Sequence, residues 1–486
     1  MGIETKILGS SQAELLAGST ISLRAPGYSG RAVRLDEAGD SRAQGDTLPL
    51  DKALAGTDVE VVTRLFIELK PPTPTVAGTG GRGAATERPQ LVVPARADAD
   101  YAVLHTDESG CATWLFPIAG TSQQQAVFEL PPERAAPLEG TAPDASARGP
   151  VTSLMKRVVR VVAWLAQPVV GAGARAVARL WEDSKRPYCL WQVGPNGSFD
   201  APHWDGFRQP GPTLLLIHGT FSTPQAGFDG WVGTPAFDAL SARYDGRVLA
   251  LAHPSLSVSP SDNIDWMLQQ LPAGSQTFGG PLDIVCHSRG GLVARELAAR
   301  AALAAATGGT PRVDRVCQVG APNLGTPLAD ASRWIAFIDA YTSCLTRLPD
   351  TTTTIVLEGL LCLVKILGTG VARGLPGLAA MDPAGDWLQT LAGQPCGAAR
   401  WFTVGANYEP ARSTAEGFVH QLGEKVADAA VDAFFAADND MVVPTEGCHQ
   451  PGPAVVDQLT LTGGDTNHCS YFASAQVQDA LARWLQ

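Results

Sequence analysis

The chain is short of positive charge: 36 Lys and Arg stand against 48 Asp and Glu in 486 residues, a formal net charge of −12. Binding to a phosphate backbone needs clustered cations, so no nucleic-acid partner is expected. The nine cysteines contain no C-x-x-C pair, which argues against a zinc framework or a complete disulfide set and leaves buried free thiols. H-E-x-x-H, a P-loop and metal-spaced clusters are also missing, so the chemistry is expected to need no cofactor and no metal. MGIETKILGSS has no basic stretch leading into an apolar core, and Lys6 stands where myristoylation would need Ser or Thr. A cytoplasmic location is the expectation. The most apolar run, TTTTIVLEGLLCLVKILGTG, is broken by Glu358 and Lys365 and makes a poor transmembrane span.

What is present suggests two domains with insertions. Residues 1–130 hold short β-branched runs, TISLR, VEVVTRLFIEL, QLVVP, YAVLHT and ATWLFPI, separated by Gly, Pro and Asp. That spacing predicts a small β-sandwich or barrel, a module that could bind a partner of its own. GTGGRG at 78–83 matches G-x-G-x-x-G formally, yet prolines separate it from the preceding strand and no helix pattern follows, so it reads as a loop. Residues 131–150, rich in Pro, Ala and Gly, read as a linker. The stretch 151–183 reads as a helical connector broken near Pro168 and Gly171. Its Lys156, Arg157, Arg160, Arg175 and Arg179, with no acidic residue from Val151 to Trp181, would suit peripheral contact with an anionic membrane. The plainer alternative is a helix packing through Leu154, Val158 and Leu165.

From about residue 184 to 486, apolar runs of strand length (TLLLIHG, RVLALAH, LDIVCHS, VDRVCQVG, WFTVG) alternate with helical patterns such as NIDWMLQQL and LVARELAARAALAAA. Strands covered on both faces and joined by crossover helices make a mostly parallel sheet in an α/β domain.

LDIVCHSRGGLVAR, 282–295, places Ser288 where an apolar strand turns into a helix. The pattern approximates G-x-S-x-G, whose tight strand-to-helix turn presents a serine above the sheet, with Cys286 in place of the first glycine. A serine needs a base, and the base an orienting acid. On such a sheet these follow the serine in the order acid, then His. His420, His449 and His468 follow Ser288. His468, in LTLTGGDTNHCSYF just before the terminal helix pattern, stands where the last loop should be, whereas His449 in CHQPGP has no strand directly before it. In AADNDMVVPTEG, Asp440 is preferred to Asp438, because the apolar run behind it would hold its carboxylate. Oxyanion donors are expected from the backbone N–H groups of Arg289 and of Thr220, the latter in the TLLLIHGTFS loop.

IHGTFS, VCHSRGGLVAR, VGAPNLGTPLA, NDMVVP and TNHCSYF, in this order, resemble the lipase and esterase branch of the α/β-hydrolase superfamily over roughly 184–486. The resemblance implies Ser288 as nucleophile, Asp440 as acid, His468 as base, and Thr220 and Arg289 as main-chain oxyanion donors. The insertion 331–400 is expected to form a helical cap, and the substrate to be an apolar, lipid-like ester. His218 and His287 sit in motifs where such histidines make local hydrogen bonds. Two rivals remain: a thioesterase or acyltransferase using the same residues, and a non-catalytic hydrolase-like scaffold that binds through its β-rich module.

Overall fold

A computed structural model describes residues 3–35, 48–72, 87–107, 111–118, 124–131, 155–166, 173–272, 278–304, 311–345, 350–368, 374–408, 438–464 and 466–486. The chain divides into two compact units between residues 168 and 169. In the N-terminal unit one antiparallel sheet runs, edge to edge, Glu4–Ile7, Ser29–Arg34, Glu60–Lys70, Met155–Leu165, Ala99–Asp107 and Ala112–Leu115. A second contains Glu14–Leu15, Ser22–Arg24, Gln90–Pro94 and Gln125–Glu129. Alternation along Glu60–Lys70 turns Leu65, Ile67 and Leu69 inward, where they join Leu23, Leu91 and Phe128 of the second sheet in one core. This is a sandwich.

The helical reading of 151–183 is corrected for its first half. Met155–Leu165 is an inner strand, paired with Glu60–Lys70 on one side and Ala99–Asp107 on the other. Val158, Val159, Val161 and Val162 are β-branched, and stiff side chains of this kind favour a pleated surface over a helix. Of the arginines that suggested a charged helix face, Arg157 and Arg160 are internal, whereas Arg175 and Arg179 are exposed on the helix that follows. Arg160 is buried, ion-paired with Asp51 and donating to Thr106 Oγ1 at 2.7 Å, while Arg157 is buried and donates to the Pro131 carbonyl. A buried cation is tolerated only with such partners. Among the described residues of this stretch, Ala174–Lys185 (α1) is the helical part. The strand also moves the domain boundary beyond the expected linker. Residues 132–150 of that linker, GTGGRG at 78–83 and His420 lie outside the described residues.

The C-terminal unit is built on an eight-stranded sheet. Its strands are β1 (Cys189–Val193), β2 (Phe199–Asp200), β3 (Thr213–Ile217), β4 (Val248–Ala252), β5 (Leu282–His287), β6 (Val313–Val319), β7 (Arg400–Tyr408) and β8 (Val455–Gly464), ordered β2-β1-β4-β3-β5-β6-β7-β8. From β4 through β8 every neighbouring pair is parallel, and β1 is antiparallel to β4. Every residue of β3 and β5 is buried, as layers on both faces require. The helices of those layers are α2 (Pro235–Arg243), α3 (Pro260–Gln270), α4 (Gly290–Ala304) and, at the chain end, α8 (Ala475–Trp484). Leu214, Leu216 and Val285 pack with Phe237 of α2 and Leu481 of α8, while Leu215, Ile217 and Ile284 pack with Ile264 of α3 and Val293 of α4. Strand periodicity thus assigns alternate residues to opposite helix layers. Between β6 and β7 the insertion forms α5 (Trp334–Leu345), α6 (Asp350–Gly368) and α7 (Asp386–Ala392). Among the described residues no helix is long and apolar enough to cross a membrane.

Candidate active site

Ser288 lies between the end of β5 and the start of α4 with φ +53°. A left-handed conformation costs a non-glycine residue roughly 1–2 kcal/mol, and the Ser288 N–H offsets part of it by donating to the Val319 carbonyl at 2.9 Å. Helix and sheet meet closely at Gly290, where a Cβ would stand 2.4 Å from the Ile217 carbonyl oxygen. Cys286 is not at this crossing. Its side chain belongs to the buried layer with Ile217, Ile284 and Val293, and its thiol lies 3.5 Å from the Cys317 carbonyl. The glycine expected at that position is therefore not required here for space.

Three sequence-predicted residues meet at this turn. His468 Nε2 lies 2.8 Å from Ser288 Oγ, and His468 Nδ1 lies 2.7 Å from Asp440 Oδ2. The proton on Nδ1 belongs to the carboxylate bond, which leaves Nε2 to accept from the serine hydroxyl. Asp440 Oδ1 accepts the amides of Val442 at 3.0 Å and Val443 at 2.7 Å, and Oδ2 also accepts the Tyr471 hydroxyl at 2.8 Å. Burial raises the Asp440 carboxyl, but His468, the Val443 amide and Tyr471 outweigh it and hold the group below its usual value. The run Met441–Val443 thus folds back to supply donors, and Asp438 is exposed two residues away. His449 lies elsewhere, bridging Thr403 Oγ1 at 2.8 Å and Thr460 Oγ1 at 2.9 Å.

The loop after β3 brings its backbone against Ser288: a Cβ on Gly219 would stand 3.2 Å from Ser288 Oγ. Thr220 is buried beside it, followed by Phe221 at φ +60°. His218 Nδ1 lies 2.8 Å from the Gly219 carbonyl and therefore donates to it, while its Nε2 accepts the His253 amide at 3.2 Å. Because a peptide unit is planar and trans, fixing the Gly219 carbonyl fixes the Thr220 N–H in the opposite direction. His218 and His253 stack with ring centroids 4.2 Å apart. Burial, with Arg289 assisting, pushes His253 down to about 3, and burial followed by His253 takes His218 well below its usual value. Both are neutral. His287 donates from Nε2 to the His468 carbonyl at 2.8 Å.

The insertion covers this cluster. Tyr341 of α5 stands edge-on to His468 at 5.5 Å and to Phe221 at 5.2 Å. Gly359 of α6 lies against Phe221, to whose carbonyl oxygen a Cβ would come within 2.8 Å. Ser288 is 1% exposed and His468 and Asp440 are fully buried. Sequence reasoning missed Tyr341, Tyr471, His253 and the side chain of Arg289. Tyr471 alone had a local signal, three residues beyond His468.

A central parallel sheet in the order 4-3-5-6-7-8, with a serine at the sharp turn after β5, defines an α/β-hydrolase fold. The chain belongs to the family described as a domain of unknown function (DUF7379), whose model matches residues 188–486. No curated protein matches it. Among solved structures it is similar to the mature lipase BlEst2 of Bacillus licheniformis, with 16% identity over 62% of this chain and 98% of that one and a TM-score of 0.37. It is also similar to lipase 1 of Pelosinus fermentans, with 13% identity over 57% of this chain and 98% of that one and a TM-score of 0.38. For phospholipase PlaB of Legionella pneumophila the values are 13%, 49%, 45% and 0.31.

Proposed function

We propose that the C-terminal unit is a serine carboxylic-ester hydrolase that works through an acyl-enzyme. The observation that carries this reading is the unbroken hydrogen-bonded line from Ser288 Oγ through His468 to Asp440, 2.8 and 2.7 Å long, on a serine held at positive φ. His468 Nε2 takes the hydroxyl proton as Oγ attacks the ester carbonyl, and Asp440 stabilises the imidazolium that forms. The Thr220 and Arg289 amides receive the oxyanion. Collapse expels the alcohol, which takes its proton from His468. Water, activated by the same imidazole, then releases the carboxylic acid and regenerates the serine. The aromatic cover of Phe221, Phe337 and Tyr341 suits an apolar acyl group. The insertion acts as the cap over it, excluding water from the acyl-enzyme.

The test is labelling with a fluorophosphonate together with hydrolysis of short p-nitrophenyl esters. Wild type reacts and turns over, and Ser288→Ala does neither while keeping its melting temperature. Activity of Ser288→Ala within about tenfold of wild type would remove the serine from the reaction.

A further inference from the structure

Glu182 is far from Ser288 in sequence and is fully buried. Its Oε1 accepts the amides of Ser255 at 2.6 Å and Leu256 at 2.7 Å, and its Oε2 accepts that of Ser257 at 2.9 Å. Three charge-assisted bonds from consecutive amides hold this segment more firmly than any one neutral bond would. The other side of the same segment is held by a cation. Arg289, the residue after the nucleophile, is buried and donates from Nη2 to the Val258 carbonyl at 2.8 Å, from Nη1 to Asn263 Oδ1 at 3.1 Å and from Nε to the Gly377 carbonyl at 3.1 Å. Two opposite buried charges are thus separated by a strip of peptide, with the N–H groups turned to the carboxylate and a carbonyl turned to the guanidinium.

The strip ends on the turn that carries Thr220. Ser255 Oγ accepts the Phe221 N–H at 3.1 Å, and His253 holds His218, which in turn holds the Gly219 carbonyl. The peptides on both sides of Thr220 therefore lean on 253–257. Phe221 at φ +60° is the strained member of the turn, and without its bond to Ser255 it would relax toward an ordinary conformation, turning the Thr220 amide with it.

We propose that Glu182 is a positioning residue for the oxyanion hole, acting through the 255–257 amides and the Ser255 hydroxyl to aim the Thr220 N–H at the substrate. This rests on the hydrolase reading above. Glu182 touches no reacting atom, and its loss acts on the transition state rather than on ground-state binding, because the oxyanion exists only after attack.

The experiment compares full-length wild type, Glu182→Gln, Ser255→Ala and the double variant on p-nitrophenyl butyrate, with melting temperatures. Glu182→Gln sets an NH2 against a backbone N–H, and Ser255→Ala removes only the oxygen facing Phe221. Each is expected to lower kcat about 10- to 100-fold with KM changed less than about threefold, since removal of an oxyanion donor costs about 10²–10³. The double variant should lose little more than the worse single one, because both act through one contact. A merely structural role gives multiplicative losses or loss of folded protein with kcat intact. Should Glu182→Gln not fold, Ser255→Ala carries the test alone. An active wild type whose folded variants keep kcat within twofold overturns the positioning role only. A wild type that neither hydrolyses the ester nor takes up a fluorophosphonate overturns the hydrolase reading and this role with it.

Discussion

Acidification destabilises the C-terminal unit through His287 by an amount that follows from its surroundings. His287 Nε2–H donates to the His468 carbonyl, and Nδ1 is buried with no hydrogen-bond partner. A second proton would sit on that orphaned nitrogen, in a ring whose centroid lies 5.0 Å from that of His468. Burial first, and His468 second, push the group down to about 3. The unfolded chain takes up this proton below about pH 6.5, whereas the native state refuses it until about pH 3, so stability is complete above the first value and is lost as pH falls between them. At about pH 5 the loss is about 2 kcal/mol for this one residue, against almost nothing at pH 7.5. His287→Gln keeps a donor for the His468 carbonyl and has no proton to take up. Urea unfolding followed by tryptophan fluorescence at the two pH values should show the wild type losing about 2 kcal/mol more than the variant. Comparing pH differences cancels whatever the substitution itself costs. Equal losses would mean that native His287 is protonated at pH 5, and the assignment of a neutral, partnerless Nδ1 would fall.

Asp440→Asn should lower kcat by about 10³ or more, because an amide there no longer selects the Nδ1–H form of His468, whereas exposed Asp438→Asn should stay within about twofold of wild type; the reverse ranking on p-nitrophenyl acetate would exchange their roles. Cys286→Gly restores the glycine of the elbow pattern, yet it should lower stability by about 1–2 kcal/mol through a cavity beside Ile284 and Val293 without raising kcat. A faster enzyme would show that the cysteine strains the turn.

How much of this was readable in the chain depended on whether the signal was local. The parallel sheet was legible because burial on both faces writes itself as unbroken apolar runs, as in TLLLI and LDIVCH. Ser288, Asp440 and His468 were singled out because their neighbours carry local patterns: an apolar strand running into a small-residue turn at Ser288, an apolar run behind Asp440, and the terminal helix after His468. Met155–Leu165 misled for the converse reason. Arg157 and Arg160 look like the polar face of a helix until Asp51, more than a hundred residues earlier, is known to lie beside Arg160. The same logic hid Glu182. Nothing around it in ARLWEDSK distinguishes it from the exposed Asp183, because its partners are backbone amides that carry no sequence identity. The residues of the proposed triad are thus found by pattern, and the buried charges behind them only by asking where each finds its hydrogen bonds. In this unit that question leads from both Glu182 and Arg289 to a single strip of peptide behind the oxyanion turn.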